Sequence, residues 1–196
     1  MKKLKFYIVH CSATQPTVEV TPELIRLWHT APAEIKDTKG KITGYKYKGV
    51  VYKDRNSLPN DFINGQSVRK STGRGWSTIG YSDLINLGGK LINLTPYDDD
   101  DDVEAWEITN GVAGINSISR HIVYAGGIDK AGKPKDTRNP YQLLTLENTI
   151  KQTVNTYPKI LIGGHNQFDK GKACPSFDVP KYLKSIGISD VNIYKG

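Results

Sequence analysis

Leu143, Leu146, Ile150, Val154 and Tyr157 recur three or four positions apart, in a stretch that opens with Asn139-Pro140 and stops at Pro158. That spacing lines them along one face of a helix, and such a face has to be buried against something. Asn before Pro is a helix start: the side chain can cap the first turn, and proline has no amide to leave unsatisfied there. The apolar run Ile160-Leu161-Ile162 follows at once and reads as a buried strand. Leu4 to His10 is rich in β-formers and predicts another, as does Ser119 to Ala125. Ser82 to Leu87 and Leu91 to Leu94 read as two strands joined at Gly88-Gly89-Lys90. Thr21-Pro22-Glu23 starts a second helix, with Leu24, Ile25, Leu27 and Trp28 on its apolar face. Asp178 caps a short last helix that ends at Gly187. Strands alternating with helices predict an α/β fold: a single domain over 1–196, with a central mixed β-sheet flanked by helices.

One segment breaks this pattern. Residues 31–75 are rich in Gly, Lys, Tyr and Asn, and their one clear alternation, Ile42 to Lys53, predicts a small hairpin. The segment holds ten Lys/Arg against four acids, so most of the chain's net charge of +7 sits here. It reads as a basic insertion within the domain, either a solvated surface or a surface for an anionic polymer. Asp98 to Asp102 is a run of acids without the spaced ligands and glycine of a calcium loop, and reads as a solvated loop facing the basic segment.

No apolar run reaches the roughly 20 residues needed to cross a bilayer. The start has a basic beginning but lacks the apolar stretch of about 7–15 residues of a signal peptide. The expectation is therefore a protein held in the cytoplasm, with Cys11 and Cys174 reduced and no membrane partner. A reduced cysteine beside a histidine favours metal binding or catalysis. His165 and Cys174 lie on the loop that follows the Ile160–Ile162 strand, together with Lys170 and Lys172. Soft ligands on a loop after a strand suit zinc, but two ligands are not a site. His10 ends the first strand beside small residues, where a histidine is either a ligand or a packed polar side chain. His121 opens another strand and is a possible ligand, though core or surface placement is favoured; His29 reads as packing or capping. Tyr81 follows Gly80 into a strand, as a core aromatic or as a residue approached closely from outside.

Taken together, Tyr7-Ile8-Val9-His10-Cys11-Ser12-Ala13-Thr14, Leu27-Trp28-His29, Gly80-Tyr81, Gly126-Gly127-Ile128-Asp129 and Lys172-Ala173-Cys174-Pro175-Ser176-Phe177-Asp178 resemble the zinc-dependent N-acetylmuramoyl-L-alanine amidases. The pattern is most similar to the amidase-type lysozymes of T-odd coliphages, whose fold is shared by the peptidoglycan recognition proteins. The blocks occur in the family's order and reach both ends of the chain, while 31–75 has no counterpart in the short phage enzymes. The resemblance implies Zn2+ held by His10, His165 and Cys174, with Tyr81 and Lys172 as the catalytic side chains. It implies hydrolysis of the amide between N-acetylmuramic acid and L-alanine in peptidoglycan, by a phage or prophage endolysin released to the wall at lysis. A monomer is the expected working form, with no nucleic-acid partner. The alternative is a recognition module that holds peptidoglycan without cutting it, although Cys174, which inactive recognition proteins commonly lack, is present. A thiol hydrolase using Cys11 or Cys174 is a more distant alternative. Three features depart from the family pattern. Ser82 follows Tyr81 where many relatives have His, Ile108-Thr109-Asn110 replaces an upstream His, and the His165–Cys174 spacing is one residue longer.

Overall fold

A computed structural model describes residues 2–196. In chain order its elements are β1 (Lys2–Lys3), β2 (Phe6–Cys11), α1 (Pro22–Thr30), β3 (Ala33–Lys36), β4 (Ile42–Tyr47), β5 (Val50–Tyr52), β6 (Phe62–Ile63), β7 (Gln66–Ser67), β8 (Asp83–Ile85), β9 (Leu91–Asn93), β10 (Asp102–Val103), β11 (Ser119–Tyr124), α2 (Pro140–Thr156), β12 (Leu161–Gly164), α3 (His165–Phe168) and α4 (Val179–Ser185). They fall into two compact units, Thr21–Gly80 and the remainder of the chain.

The larger unit is built on a five-stranded sheet in the order β12-β2-β11-β8-β9. Its first four strands are parallel, and β9 returns antiparallel to β8, so the sheet is mixed as the sequence predicts. The central strands β2 and β11 are buried almost end to end, β11 with the polar residues Ser119, Arg120 and His121 among its buried positions. Leu146 and Ile150 of α2, with Val179 and Leu183 of α4, share one core with Tyr7, Val9, Ile122, Tyr124 and Ile162. The predicted caps are present. Asn139 and Gln142 form a reciprocal capping box at the start of α2, and Asp178 accepts from the Lys181 amide at the start of α4. Among the described residues no helix is long and apolar enough to cross a membrane.

The smaller unit contains α1, the three-stranded antiparallel sheet β3-β4-β5 and the β6-β7 pair. Lys48 and Gly49, both at positive φ (47° and 84°), make the tight turn of the predicted hairpin. Tyr45, Tyr47, Leu58, Ile63 and Val68 form its own core, with Leu27 of α1 packed against it. The unit is therefore wider than the 31–75 segment expected from composition, because α1 belongs to it. The last carbonyls of α1 accept from the strand that closes the unit: Arg74 N–H donates to Trp28 O, and Trp76 N–H to His29 O. Eleven Lys/Arg against five acids give this unit a net charge of +6 out of the chain's +7.

The acidic run lies on the surface, and its ionic partner is Lys3, whose Nζ is 2.6 Å from Asp101 and 3.3 Å from Asp102. This pairing accompanies the short antiparallel β1-β10 contact.

Candidate metal centre and active site

The parallel register brings the candidate ligands together. Gly164, the last residue of β12, pairs with Val9 of β2, so the next residue on each strand is a histidine: His165 and His10. Both leave the carboxyl ends of parallel strands, the edge at which open α/β sheets place their ligands. Their rings are 4.7 Å apart, centre to centre. Cys174 is returned to the same point because the Asn166 amide donates to its carbonyl (2.8 Å) and the Cys11 amide donates to its Sγ (3.2 Å). One ligand atom from each of His10, His165 and Cys174 lies within 4.8 Å of the others.

The donor set can be tested against zinc. His10 Nε2 is engaged with His121 Nδ1 at 3.0 Å, which leaves Nδ1 to face the cluster, 3.7 Å from Cys174 Sγ. Nitrogen and sulfur ligands at the usual zinc distances, in a tetrahedron, stand about 3.5 Å apart. Two histidines and a cysteine with ligand atoms within 4.8 Å of one another, one pair at 3.7 Å, are a donor set that fits a zinc ion. In the protein alone, the contact with the Cys11 thiol and then burial hold the Cys174 thiol well above its ordinary range. The Cys11 amide and the Lys172 charge pull the other way. A coordinated divalent cation settles the balance, since it deprotonates a thiol ligand outright.

The other expected residues fall at different distances from this point. The half-buried Tyr81 ring lies 5.2 Å from that of His10. Lys172 stands two residues before Cys174, exposed at the rim. His29 belongs to the smaller unit, where its Nδ1 accepts from the Gly80 amide at 3.0 Å. An open groove of about 500 Å3 runs along the ligand loop, lined by Asn166, Ala173, Ser176 and Phe177 among others.

The conserved-looking blocks around the ligands have structural work of their own. The Ser12 hydroxyl accepts from the Gly126 amide, and the Thr14 amide donates to the Gly126 carbonyl, fastening the loop after His10 to the Gly126-Gly127 turn. Gly127, at φ 104°, leaves no room for a side chain: a Cβ there would overlap the Cys11 thiol. The longer His165–Cys174 spacing is taken up by one turn of helix, α3, and by an Asp169 turn whose carboxylate accepts from the Gly171 amide. Ser82, in place of the family's histidine, is buried and holds β11 at both polar atoms of one residue: its amide donates to His121 O, and its hydroxyl accepts from His121 N–H.

His121, weighed in the sequence as a ligand or as a core or surface residue, lies outside the candidate ligand set and against one of its members. It is fully buried, yet its Nδ1 contacts a candidate ligand. The β2-β11 register explains this: His121 pairs with Ile8, two residues before His10, so the two imidazoles share a face of the sheet. Only the register carries that signal.

No protein-family model matches the chain. The endolysin of Enterobacteria phage K11 is 26% identical over 179 residues, covering 91% of this chain and 85% of that protein. Among solved structures, the Ph2119 endolysin from the Thermus scotoductus MAT2119 bacteriophage Ph2119 superposes with a TM-score of 0.57 at 18% identity, covering 96% of this chain and 88% of that one. The N-acetylmuramoyl-L-alanine amidase LysC from Clostridium intestinale URNW gives 0.56 at 16% identity, over 95% and 87%. With its parallel β12-β2-β11-β8 core and its loops at the carboxyl edge, the chain has the fold of these amidases and of the peptidoglycan recognition proteins.

Proposed function

We propose that this chain is a phage-type endolysin that uses zinc to hydrolyse the amide between N-acetylmuramic acid and L-alanine in peptidoglycan. The observation that carries the reading is the convergence of His10 Nδ1, His165 and Cys174 Sγ at the carboxyl edge of the sheet. Its similarity to a phage endolysin, and its fold likeness to the amidase LysC, point the same way.

When bound, zinc supplies Lewis acidity and lowers the pKa of a water from its bulk value to about 7. The protein's own residues do the rest. His10, His165 and Cys174 would hold the ion, and it would supply the Lewis acidity that polarises the scissile carbonyl. Lys172, on the same loop as Cys174, places a positive charge where the carbonyl oxygen gains negative charge as the water oxygen bonds to carbon. The Tyr81 hydroxyl orients the attacking water or the carbonyl oxygen by hydrogen bonding. The C–N bond then breaks, and the alanine nitrogen leaves as an amine after taking up the proton released by the water.

The test combines metal analysis with mass spectrometry of digested peptidoglycan. One zinc per chain is expected, with stem peptides that begin at a free L-alanine amine and glycan that carries a free lactyl carboxylate. Digestion that continues undiminished after chelation and in His10→Ala would overturn the zinc mechanism. Muropeptides that bind but stay intact would make the chain a recognition module.

A further inference from the structure

We propose that His121 is a positioning residue for the metal centre, fixing the tautomer and the ring orientation of His10 by accepting a hydrogen bond from its Nε2–H. The inference rests on the zinc reading and extends it to a residue outside the ligand set.

The contact is 3.0 Å long and lies between two rings that are 1% and 0% exposed. Only one of its two nitrogens can carry the proton. A metal on His10 Nδ1 uses that lone pair, so neutral His10 must keep its proton on Nε2 and donate it. His121 Nδ1 must then be a bare acceptor, with the His121 proton on its own Nε2.

That Nε2 is buried and has no hydrogen-bond partner among the described residues. Leaving a buried polar group unsatisfied is a cost that an aliphatic side chain of similar size would avoid. A histidine that only filled space would therefore be a poor choice here, whereas one needed for its Nδ1 lone pair is not.

The surroundings also keep the ring in place. Gly111 lies flat against it, since a Cβ on Gly111 would overlap the imidazole. Ser82 ties down the His121 backbone at both its N–H and its carbonyl. Ligand histidines ordinarily give this second N–H to a carboxylate, carbonyl or water, and losing that partner weakens metal binding by about 10–100-fold.

The test compares zinc dissociation constants, measured by chelator competition, in the whole chain. His121→Leu removes the acceptor and fills similar space, while His121→Asn can set its Oδ1 near the position of Nδ1. Zinc binding is expected to weaken about 10–100-fold in His121→Leu and to recover most of that loss in His121→Asn. Imidazole 15N spectra of the zinc-loaded wild type give a readout that needs no variant: His10 should carry its proton on Nε2, and His121 on Nε2. Wild-type affinity in a folded His121→Leu, or a His121 proton on Nδ1, overturns the inference while leaving the zinc centre intact. A wild-type chain that binds no zinc overturns the zinc reading itself, and this inference with it.

Discussion

Lys172 and Cys174 sit two positions apart on one loop, yet their removal should have separable effects. Cys174, the proposed sulfur ligand, has its Sγ held by the Cys11 amide, so on that proposal Cys174→Ser is expected to lose zinc and activity together, as read by metal analysis of the purified variant. Lys172 is exposed and donates nothing to the cluster, so Lys172→Ala should keep its zinc while kcat falls by about 10²–10³-fold, the usual effect of deleting one group that stabilises developing charge. A Lys172→Ala protein with full activity would remove Lys172 from the mechanism. A different residue pair matters for folding. Arg120 and Glu107 are 3% and 1% exposed and meet at 3.2 Å. The guanidinium also donates to Tyr157 Oη and Asp98 O, and stacks on the Tyr97 ring. Removing one partner of such a pair leaves the other charge buried and alone, so Glu107→Ala should destabilise the fold by about 3–5 kcal/mol in urea unfolding. At this scale the candidate ligands could be read from motif blocks, those of His10 and His165 at the carboxyl ends of β2 and β12 and that of Cys174 on the loop that follows. Arg120–Glu107 and His10–His121 were not, since both depend on which side chains share a face, and a linear pattern does not carry that.

Helix α2 was the most legible element, because two independent signals agree on it: an apolar face of helical period and a start marked by Asn139-Pro140. Its N-terminus also has a tertiary role, since Asn139 Nδ2 donates to Leu87 O and Gln142 Nε2 donates to the Ala125 carbonyl. Asn139→Ala should therefore cost about 1–2 kcal/mol, the upper part of the range for a lost cap. For a chain of this length each kcal/mol corresponds to a melting-temperature fall of about 2–4 °C, readable by calorimetry. An unchanged melting temperature would mean that the cap is redundant with the packing of Leu146 and Ile150. The elements hardest to foresee were the shortest. The two-residue pairings β1-β10 and β6-β7 offer no alternation long enough to read, and form only because the chain on either side brings them together. Helix α1 was read correctly as a helix with the right cap. Its amphipathic face could not say which core it serves, and Leu27 shows that it packs in the smaller unit.

For the whole molecule, the basic segment was recognised from charge alone, but its true extent, Thr21–Gly80, depends on backbone hydrogen bonds to the end of α1 that composition does not encode. The two units also share an electrostatic liability, because each buries a histidine as the neutral ring. Burial, followed by the nearby Arg74 charge, lowers the His29 pKa to about 4. Its Nδ1 accepts the Gly80 amide and cannot do so once protonated. His121, in the larger unit, is lowered to about 3, mainly by burial. Asp83, beside it on β8, is shifted the opposite way: burial raises its carboxyl to about 6, against hydrogen bonds from Asn93 and Tyr97 that favour the carboxylate. The signs follow from which state takes up protons first. Above about pH 6.5 both histidines are neutral folded or unfolded, and their contribution is intact. As the pH falls from there toward 4, the unfolded chain protonates them and the folded chain does not, so each withdraws about 3 kcal/mol at roughly 1.4 kcal/mol per pH unit. Asp83 offsets one of them, because between pH 6 and 4 it is the folded chain that takes up its proton first. The net expectation is a loss of about 3–4 kcal/mol spread between pH 7 and pH 4. Urea midpoints measured across that range check it. In Asp83→Asn the offset is gone and the acid-side loss should deepen to about 6 kcal/mol. A stability that rises on acidification would contradict the burial of both rings as neutral bases.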